Sequence, residues 1–265
     1  MRWEELTGDR FAEAVDECGG VCAIPLSVVE RHGRHLPMGT DTYLGRETLT
    51  RAAALEPVIE FPDYIFTQIP EARHRAGTIS IDGDLMVKLL DNVCREIARN
   101  GCKKIVLVNA HGGNQGLVTL FNMLQLYSPR DYVVYLVQPF MVVFSGDVDV
   151  PWPIESEGHA GPGETSMIMT TRPDLVHMDQ HVAEEGAALG RLSALQDAGV
   201  HTGISWYSDF PTHYSGDAAL ADAEAGDRLL DAMAQSVVRA LRAIKADTTA
   251  RPLQDEFFAS SERPV

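Results

Sequence analysis

Apolar and amphipathic segments alternate along the first half of the chain, and this order constrains the fold more than any other feature. Three apolar segments are typical of buried strands: "GVCAIPLSV", "CKKIVLVNA" and "DYVVYLVQPF". Around and between them, three segments have the three- and four-residue apolar spacing of helices: "DTYLGRETLTRAAALE", "DGDLMVKLLDNVCREIARNG" and "NQGLVTLFNMLQLY". This order predicts a three-layer α/β sandwich with a mainly parallel sheet and helices on both faces.

Other segments complete the prediction. Residues 7–18 can form a helix with Thr7 as its N-cap, "YIFTQIP" indicates a short strand, and residues 146–163 indicate an ordered loop. The segment "SGDAALADAEAGDRLLDAMAQSVVRALRAIK" predicts a long closing helix, and "RPLQDEFFASSERPV" can be a tail or an arm. Because no repeat or linker is evident, residues 1–265 are predicted to form one domain.

Composition narrows the classes of function. Of the 265 residues, 45% are apolar, which is enough for a sizeable core. The formal net charge of -16 repels phosphate backbones and anionic lipids, which disfavours nucleic-acid and membrane-surface partners. The same charge is compatible with metal cations held by carboxylates.

Cysteine usage and the N-terminus indicate a cytoplasmic protein. None of the four cysteines forms a CxxC pair, so they are interpreted as buried free thiols in a reducing compartment. The start "MRWEELTGDRF" lacks the apolar core of a signal peptide. No segment has the roughly 18 apolar residues that a membrane span requires.

Three polar clusters carry the candidate chemistry. The first is in "VERHGRHLPMGTD", the second in "VNAHGGNQG" and the third in "EGHAGPGETS". The first two follow predicted strands, whose carboxyl ends meet at the ligand-binding edge of a parallel sheet. Imidazole nitrogens and carboxylate oxygens suit zinc, manganese, iron or cobalt. Glu30 and His32 can face one site from an extended segment, and Asp41 can bridge two cations through its two oxygens.

Alternatives to a metal site stay open at this point. Each cluster taken alone can be a solvated loop, and the "HGGN" turn is a weak motif by itself. Five other histidines are interpreted as surface or hydrogen-bonding residues: His74, His177, His181, His201 and His213. The chain contains no GxSxG nucleophile elbow, no GxxxxGK[ST] phosphate loop and no HExxH helix.

The three motifs together resemble those of the creatininase family, also called creatinine amidohydrolases. "VVERHGRHLPMGTD" is similar to the family pattern E-x-H-G-x-H-L-P-x-x-T-D, and "VNAHGGNQG" is similar to N-x-H-G-G-N. "GHAGPGETSMIMTTRPDLV" is similar to H-A-G-x-x-E-T-S. The motifs occur in the family's order within residues 24–176.

The resemblance implies a binuclear metal centre on a three-layer α/β fold, often in a homohexamer. Carried over by position, Glu30, His32, Asp41 and His111 are the expected ligands of two divalent ions (zinc, manganese or iron), with Asp41 bridging them. His159 matches the position implicated in proton transfer.

One position departs from the pattern of creatininase itself. A glutamate is expected two residues after the histidine of the second motif, where this chain has Gly113. Glu164 is the candidate that completes the metal shell, and its alternative role is to anchor a ligand histidine.

Three functions stay open. The first is a hydrolase that uses metal-activated water to open a small cyclic amide or related carbon–nitrogen substrate, with Trp152 stacking on a flat ring. The second is hydrolysis of a carbon–carbon bond in an inositol-derived cyclic diketone, in a polar pocket served by Arg34, His35 and Gln138. The third is a metal-binding scaffold without catalysis, for which Gly113 is the best support. Trp152 and His35 are thus the predicted substrate contacts.

Overall fold

The protein is described by a computed structural model that covers residues 1–262. Its sheet has four parallel strands in the order β2-β1-β3-β4. The strands are β1 (Val21–Leu26), β2 (Ile59–Glu60), β3 (Lys104–Asn109) and β4 (Val133–Val137). The predicted parallel α/β sheet is therefore confirmed.

Nine α-helices surround or follow this sheet in the described part of the chain. The first five are α1 (Gly8–Glu17), α2 (Thr40–Leu55), α3 (Gly83–Arg99), α4 (Gln115–Leu124) and α5 (Pro162–Thr171). The others are α6 (Ser193–Asp197), α7 (Ser205–Asp209), α8 (Ala223–Ala246) and α9 (Ala250–Ser261). No helix within residues 1–262 combines the length and the apolar character needed to cross a bilayer.

Alternating side chains of the central strands face two separate cores. On β1, Cys22, Ile24 and Leu26 pack with α1, α3 and α4, whereas Val21 and Ala23 pack with α2 and α8. This follows from the two-residue period of a strand, which sends successive side chains to opposite faces. The sheet is thus buried on both faces, as the continuous apolar strand segments predict.

Two boundaries differ from the sequence prediction. The segment "YIFTQIP" forms no strand beyond a single bridge between Leu26 and Tyr64, and the edge strand is Ile59–Glu60 instead. Pro62 follows that strand closely and has no N–H to donate, which interrupts a regular ladder. The closing helix starts at Ala223, where the Asp222 side chain accepts a hydrogen bond from the Ala225 amide at 2.8 Å.

Two other local predictions, the cap of α1 and the state of the cysteines, agree with the structure. Thr7 caps α1 by accepting a hydrogen bond from the Arg10 amide. All four cysteines are buried free thiols. The segment that begins at residue 251, predicted as a tail or an arm, forms most of α9, and residues 263–265 lie outside the described part.

The register of the two central strands brings two of the polar clusters together. Leu26, the last residue of β1, pairs with Asn109, the last residue of β3. The chain that follows each strand therefore leaves the sheet at the same edge. The first leads to Glu30, and the second leads to His111.

Candidate metal centre

Glu30 and His111 meet at the carboxyl edge of the sheet, and both are almost fully buried. The turn that carries His111 is held by its neighbours, because the Asn109 side chain donates a hydrogen bond to the His111 carbonyl at 3.0 Å. Asn114 in turn donates to the Asn109 side-chain oxygen at 3.3 Å. Asn109 and Asn114 of the "NAHGGN" motif thus shape the turn, and His111 points into the site.

Two carboxylate oxygens converge on one nitrogen of His111. Its Nδ1 lies 3.0 Å from Glu30 Oε1 and 3.1 Å from Asp41 Oδ2. Both oxygens are buried, and neither has a hydrogen-bond partner with suitable geometry. Buried carboxylate oxygens without partners are costly. A divalent cation among these three atoms would satisfy all of them, so the donor set fits such an ion.

The second oxygen of Asp41 faces a second group of candidate ligands. Asp41 Oδ1 lies 3.2 Å from His32 Nε2, which in turn lies 3.8 Å from Glu164 Oε2. Asp41 belongs to two sets of donor residues, and within each set the donor atoms lie within 4.8 Å of one another. The sets are Glu30–Asp41–His111 and His32–Asp41–Glu164. Asp41 sits in the first turn of α2, where packing fixes it between the two sets.

Glu164 is held by the start of its own helix. It is the third residue of α5, and its Oε2 accepts a hydrogen bond from the Ala160 amide at 2.6 Å. This reach back across the helix start resembles a capping box. Ala160 has a left-handed φ of 57°, an uncommon conformation for a residue with a Cβ, which aims its N–H at the carboxylate. Both roles predicted for Glu164, ligand and anchor, are compatible with this position.

The carboxylates and imidazoles of the cluster strongly shift one another's pKa values. Burial alone would lower the pKa of His32, but the nearby Asp41, Glu164 and Glu30 carboxylates outweigh burial and raise that pKa to about 10. The pKa of His111 is raised against burial in the same way. Burial raises the pKa of Glu164 to about 7. Without a cation, protons on the imidazoles offset the negative charge of the carboxylates. A bound cation would displace those protons and offset the charge instead.

His159 is the neutral member of the cluster. Burial lowers its pKa to about 3. Its Nε2 lies 2.8 Å from the Arg31 carbonyl oxygen, to which it can donate, and its ring lies 4.3 Å from the His32 ring. The imidazole is therefore uncharged at neutral pH, and its unprotonated ring nitrogen is a hydrogen-bond acceptor.

Gly113 stands where its backbone passes very close to His111. A Cβ at position 113 would lie 2.6 Å from His111 Nε2 and 3.2 Å from Glu71 Oε1. Any larger residue would therefore displace the imidazole.

A cavity of about 410 Å³ opens above the cluster, and its wall is mostly apolar. Its apolar lining includes Leu44, Ile69, Phe140, Val143, Phe144, Met167 and Met233. Trp206 contributes the indole on this wall, and Glu71 and Glu157 contribute carboxylates beyond the metal cluster. Among residues 1–262, no lysine or arginine lines the cavity.

The two residues predicted to contact substrate lie outside this lining. Trp152 is 5% exposed and donates its indole N–H to Glu157 at 2.6 Å. His35 is 1% exposed, and its Nε2 lies 3.1 Å from both the Ala160 carbonyl and Thr165 Oγ1. Both support residues of the third motif from behind, so a role in direct contact has no support from their positions.

Sequence reasoning missed two residues that the fold brings to the site. His213 Nε2 lies 2.7 Å from Glu30 Oε2, and Trp206 donates its indole N–H to His213 Nδ1 at 3.0 Å. Neither residue belongs to the three polar clusters, and the segment around them has weak periodicity. The only local signal was an aromatic and a histidine in "SWYSDFPTHY".

Comparison with known proteins agrees with this geometry. The model of the family described as "Creatininase: Creatinine amidohydrolase" matches residues 4–241. The chain belongs to the creatininase family. The predicted resemblance is therefore confirmed, and the protein is a metal-dependent hydrolase.

Relatives in the creatininase family have different substrates in their names. The creatinine amidohydrolase of Pseudomonas putida is 26% identical over 196 residues, which cover 67% of this chain and 74% of that protein. The mycofactocin precursor peptide peptidase of Mycobacterium tuberculosis is 30% identical over 226 residues, 82% of each chain. A solved structure described as "Creatininase Mn" has a TM-score of 0.77 at 22% identity and covers 93% of this chain and 99% of its own.

Proposed function

We propose that the protein hydrolyses a carbon–nitrogen bond in a small amide that is neutral or positively charged, using two divalent cations. The observation that carries the proposal is the sharing of Asp41 between two adjacent donor sets. Glu30, Asp41 and His111 would hold one cation, and His32, Asp41 and Glu164 the other. The imidazole and carboxylate donors suit zinc, manganese or iron.

The cations would supply a water of lowered pKa and polarise the scissile carbonyl. The chain's own residues would orient the reaction. Asp41 keeps the two donor sets adjacent, because its oxygens face His32 and His111 separately. The apolar wall above excludes bulk water, which strengthens electrostatic interactions inside the cavity.

His159 is the residue that we propose for proton transfer. If its Nε2–H donates to the Arg31 carbonyl, Nδ1 retains a lone pair. His159 also lines the cavity, and a proton that reaches Nδ1 during the reaction is readily released to a leaving nitrogen held there, because the pKa of the imidazole is low.

The electrostatics of the cavity limit the substrate class. Within the described residues the wall offers carboxylates at Glu71 and Glu157 and no basic side chain. A phosphate or a free carboxylate on the distal part of a substrate would find no cationic partner on this wall. A neutral group or an ammonium group is accommodated better.

The carbon–carbon hydrolase is a weaker candidate because the cavity lacks the expected hydroxyl-binding residues. Arg34 pairs with Glu185 on the surface, and neither His35 nor Gln138 lines the cavity. An apolar wall gives a polyhydroxylated ring few hydrogen-bond partners.

The experiment that tests the proposal begins with elemental analysis of protein purified without added metal or chelator. We expect about two divalent ions per chain. A panel of matched neutral, ammonium-bearing and carboxylate-bearing amides, together with a cyclic diketone, should then show turnover of the first two classes. One ion or none per chain, or turnover of the diketone alone, would contradict the proposal.

Glu71→Gln tests the charge of the wall. We expect it to lower kcat/KM for the ammonium-bearing amide by about tenfold, the value of one charge-assisted hydrogen bond, and to leave the neutral amide unchanged. Equal effects on both amides would refute a charge-selective role for Glu71.

The homohexamer and the cytoplasmic location are proposals that rest on the family resemblance and on composition. Size-exclusion chromatography with light scattering tests the hexamer, and a mass of about 29 kDa would identify a monomer instead.

A further inference from the structure

A chain of hydrogen bonds connects the cavity wall with a buried carboxylate of the metal centre. Trp206 lines the cavity, and its indole N–H donates to His213 Nδ1 at 3.0 Å. The other ring nitrogen, Nε2, lies 2.7 Å from Glu30 Oε2. The three residues come from α7, from the loop that follows it and from the segment after β1.

The indole determines which nitrogen of His213 carries hydrogen. An indole nitrogen donates and cannot accept, so His213 Nδ1 must be the acceptor. The hydrogen of the imidazole therefore resides on Nε2 and is donated to Glu30. This arrangement excludes His213 as a metal ligand, because both of its nitrogens are already engaged.

The two oxygens of Glu30 have different partners as a result. Oε2 is engaged by His213, whereas Oε1 faces His111 Nδ1 at 3.0 Å and has no hydrogen-bond partner. Without His213, the carboxylate could rotate about its Cγ–Cδ bond and turn its plane away from the donor set. The contact with His213 fixes that plane, so that the oxygen without a hydrogen-bond partner faces His111.

The backbone of His213 is in an uncommon conformation that its neighbours hold. Its φ is 58°, in the left-handed region where a residue with a Cβ is disfavoured by about 1 kcal/mol. Its carbonyl accepts a hydrogen bond from the Gly33 amide at 3.3 Å, and its amide donates to the Phe210 carbonyl at 3.0 Å. Such backbone strain persists where the surroundings over-determine it, often at functional sites.

We infer that His213 is a positioning residue that presents Glu30 Oε1 to the metal, and that Trp206 fixes the tautomer of His213 from the cavity wall. The inference rests on the proposed two-metal function. It makes the substrate wall and the metal shell one connected unit. A molecule that seats against the Trp206 indole would touch the residue that holds this tautomer.

The test measures zinc affinity by competition with a chromogenic chelator, using the full chain. His213→Leu should weaken zinc binding by about 10- to 100-fold, as loss of a hydrogen-bonding partner of a ligand does. His213→Gln retains an N–H donor and should recover most of that loss. Trp206→Phe should cause a smaller loss, of a few fold. His201→Gln and Trp3→Phe, neither of which lines the cavity, are the matched controls and should bind zinc like the wild type.

A spectroscopic measurement reads the tautomer directly. In protein labelled with ¹⁵N-histidine, long-range ¹H–¹⁵N spectra should show His213 protonated at Nε2 only, assigned by the signals that disappear in His213→Gln. In Trp206→Phe, signal from the Nδ1-protonated form should appear.

Two results would overturn the inference: wild-type zinc affinity in a folded His213→Leu variant, or Nδ1 protonation of His213 in the wild type. If the proposed reaction is wrong, the measurements give a different set of results. Zinc bound by the wild type without turnover of any amide would refute the proposed reaction, while the His213 comparison would still stand. A wild-type protein that binds no zinc would overturn both.

Discussion

The floor and the far wall of the cavity differ in how the chain builds them. The floor, defined by Glu30, His32, Asp41 and His111, comes from two loops that leave neighbouring strands of the sheet and from the first turn of α2. The far wall, defined by Trp206 and His213, comes from a short helix and loop about a hundred residues later. The floor places ligand atoms through regular strand register, whereas the wall acts on one of those ligands through a strained loop.

The side chains that could bind metal and the side chains that position them therefore come from separate parts of the fold. Sheet register cannot be changed locally without disturbing the core, so the ligand positions are robust. A loop can change its side chains with little effect on the sheet, so the wall can vary more freely than the floor.

The largest effect is expected for Asp41→Asn, which tests whether the floor is one shared centre. Because Asp41 faces both donor sets, the variant should weaken both cations and lower turnover by more than about 100-fold, above the range for residues that only support ligands. Elemental analysis and turnover measure this. Loss of a single ion with the other retained at full occupancy would show that Asp41 does not bridge.

The second-largest effect is expected for His159→Ala, which tests whether His159 acts in the reaction or in metal binding. Without the imidazole, turnover should fall by about 10² to 10⁴, the usual contribution of a general acid–base group. Metal content should stay at the wild-type value. Retained turnover would remove His159 from the proposed mechanism, and lost metal would make it a ligand.

Glu164→Ala distinguishes the two roles of that carboxylate. If Glu164 is a ligand, the variant should contain about one ion per chain fewer than the wild type. The matched control is Glu155→Ala, an exposed glutamate on the approach to the same motif, which should retain both ions. Full occupancy in Glu164→Ala would assign the residue to anchoring the Ala160 turn.

Leu241→Ala perturbs the core beneath both regions and should leave the floor intact. Leu241 on α8 is completely buried against the sheet, so the variant should lose about 2–5 kcal/mol of unfolding free energy. Chemical denaturation measures this loss. Metal content per folded chain should not change, and a parallel loss of metal would show that the centre depends on the packing of α8.

The smallest effect concerns Glu56, which Lys245 and Arg242 contact at 2.6 and 3.1 Å. The hydrogen bond from Lys245, followed by that from Arg242, lowers the pKa of Glu56. The unfolded chain therefore binds more protons, and the stabilisation is present at neutral pH and is lost as pH falls through the lowered pKa.

Glu56→Gln should consequently cost about 0.5 kcal/mol of unfolding free energy at pH 7 and nothing near pH 2. Urea denaturation at the two pH values checks this. An equal loss of unfolding free energy at both pH values would mean that the Glu56 side chain acts through packing. A loss at low pH alone would mean that folding raises the pKa of Glu56 instead of lowering it.

Much of the floor was predictable because its residues are close in sequence to strong strand signals. Glu30, His32 and Asp41 lie within twelve residues of one another, and His111 follows the apolar strand that ends at Asn109. The wall was not predictable, because His213 contacts Glu30 across 183 residues of sequence and Trp206 reaches Glu30 only through His213. The burial of Trp152 likewise depended on long-range packing.

The parallel α/β architecture, the sheet edge at which the site forms and the donor types that gather there can be read from the amino-acid sequence, because they follow from hydrophobic period and from polar residues near strand ends. Three features appear only in the folded chain: Trp206 and not Trp152 lies on the cavity wall, Gly113 accommodates the His111 ring, and His213 engages Glu30. These features arise from the packing of loops, whose conformations depend on contacts between residues far apart in the chain and leave no periodic pattern to read.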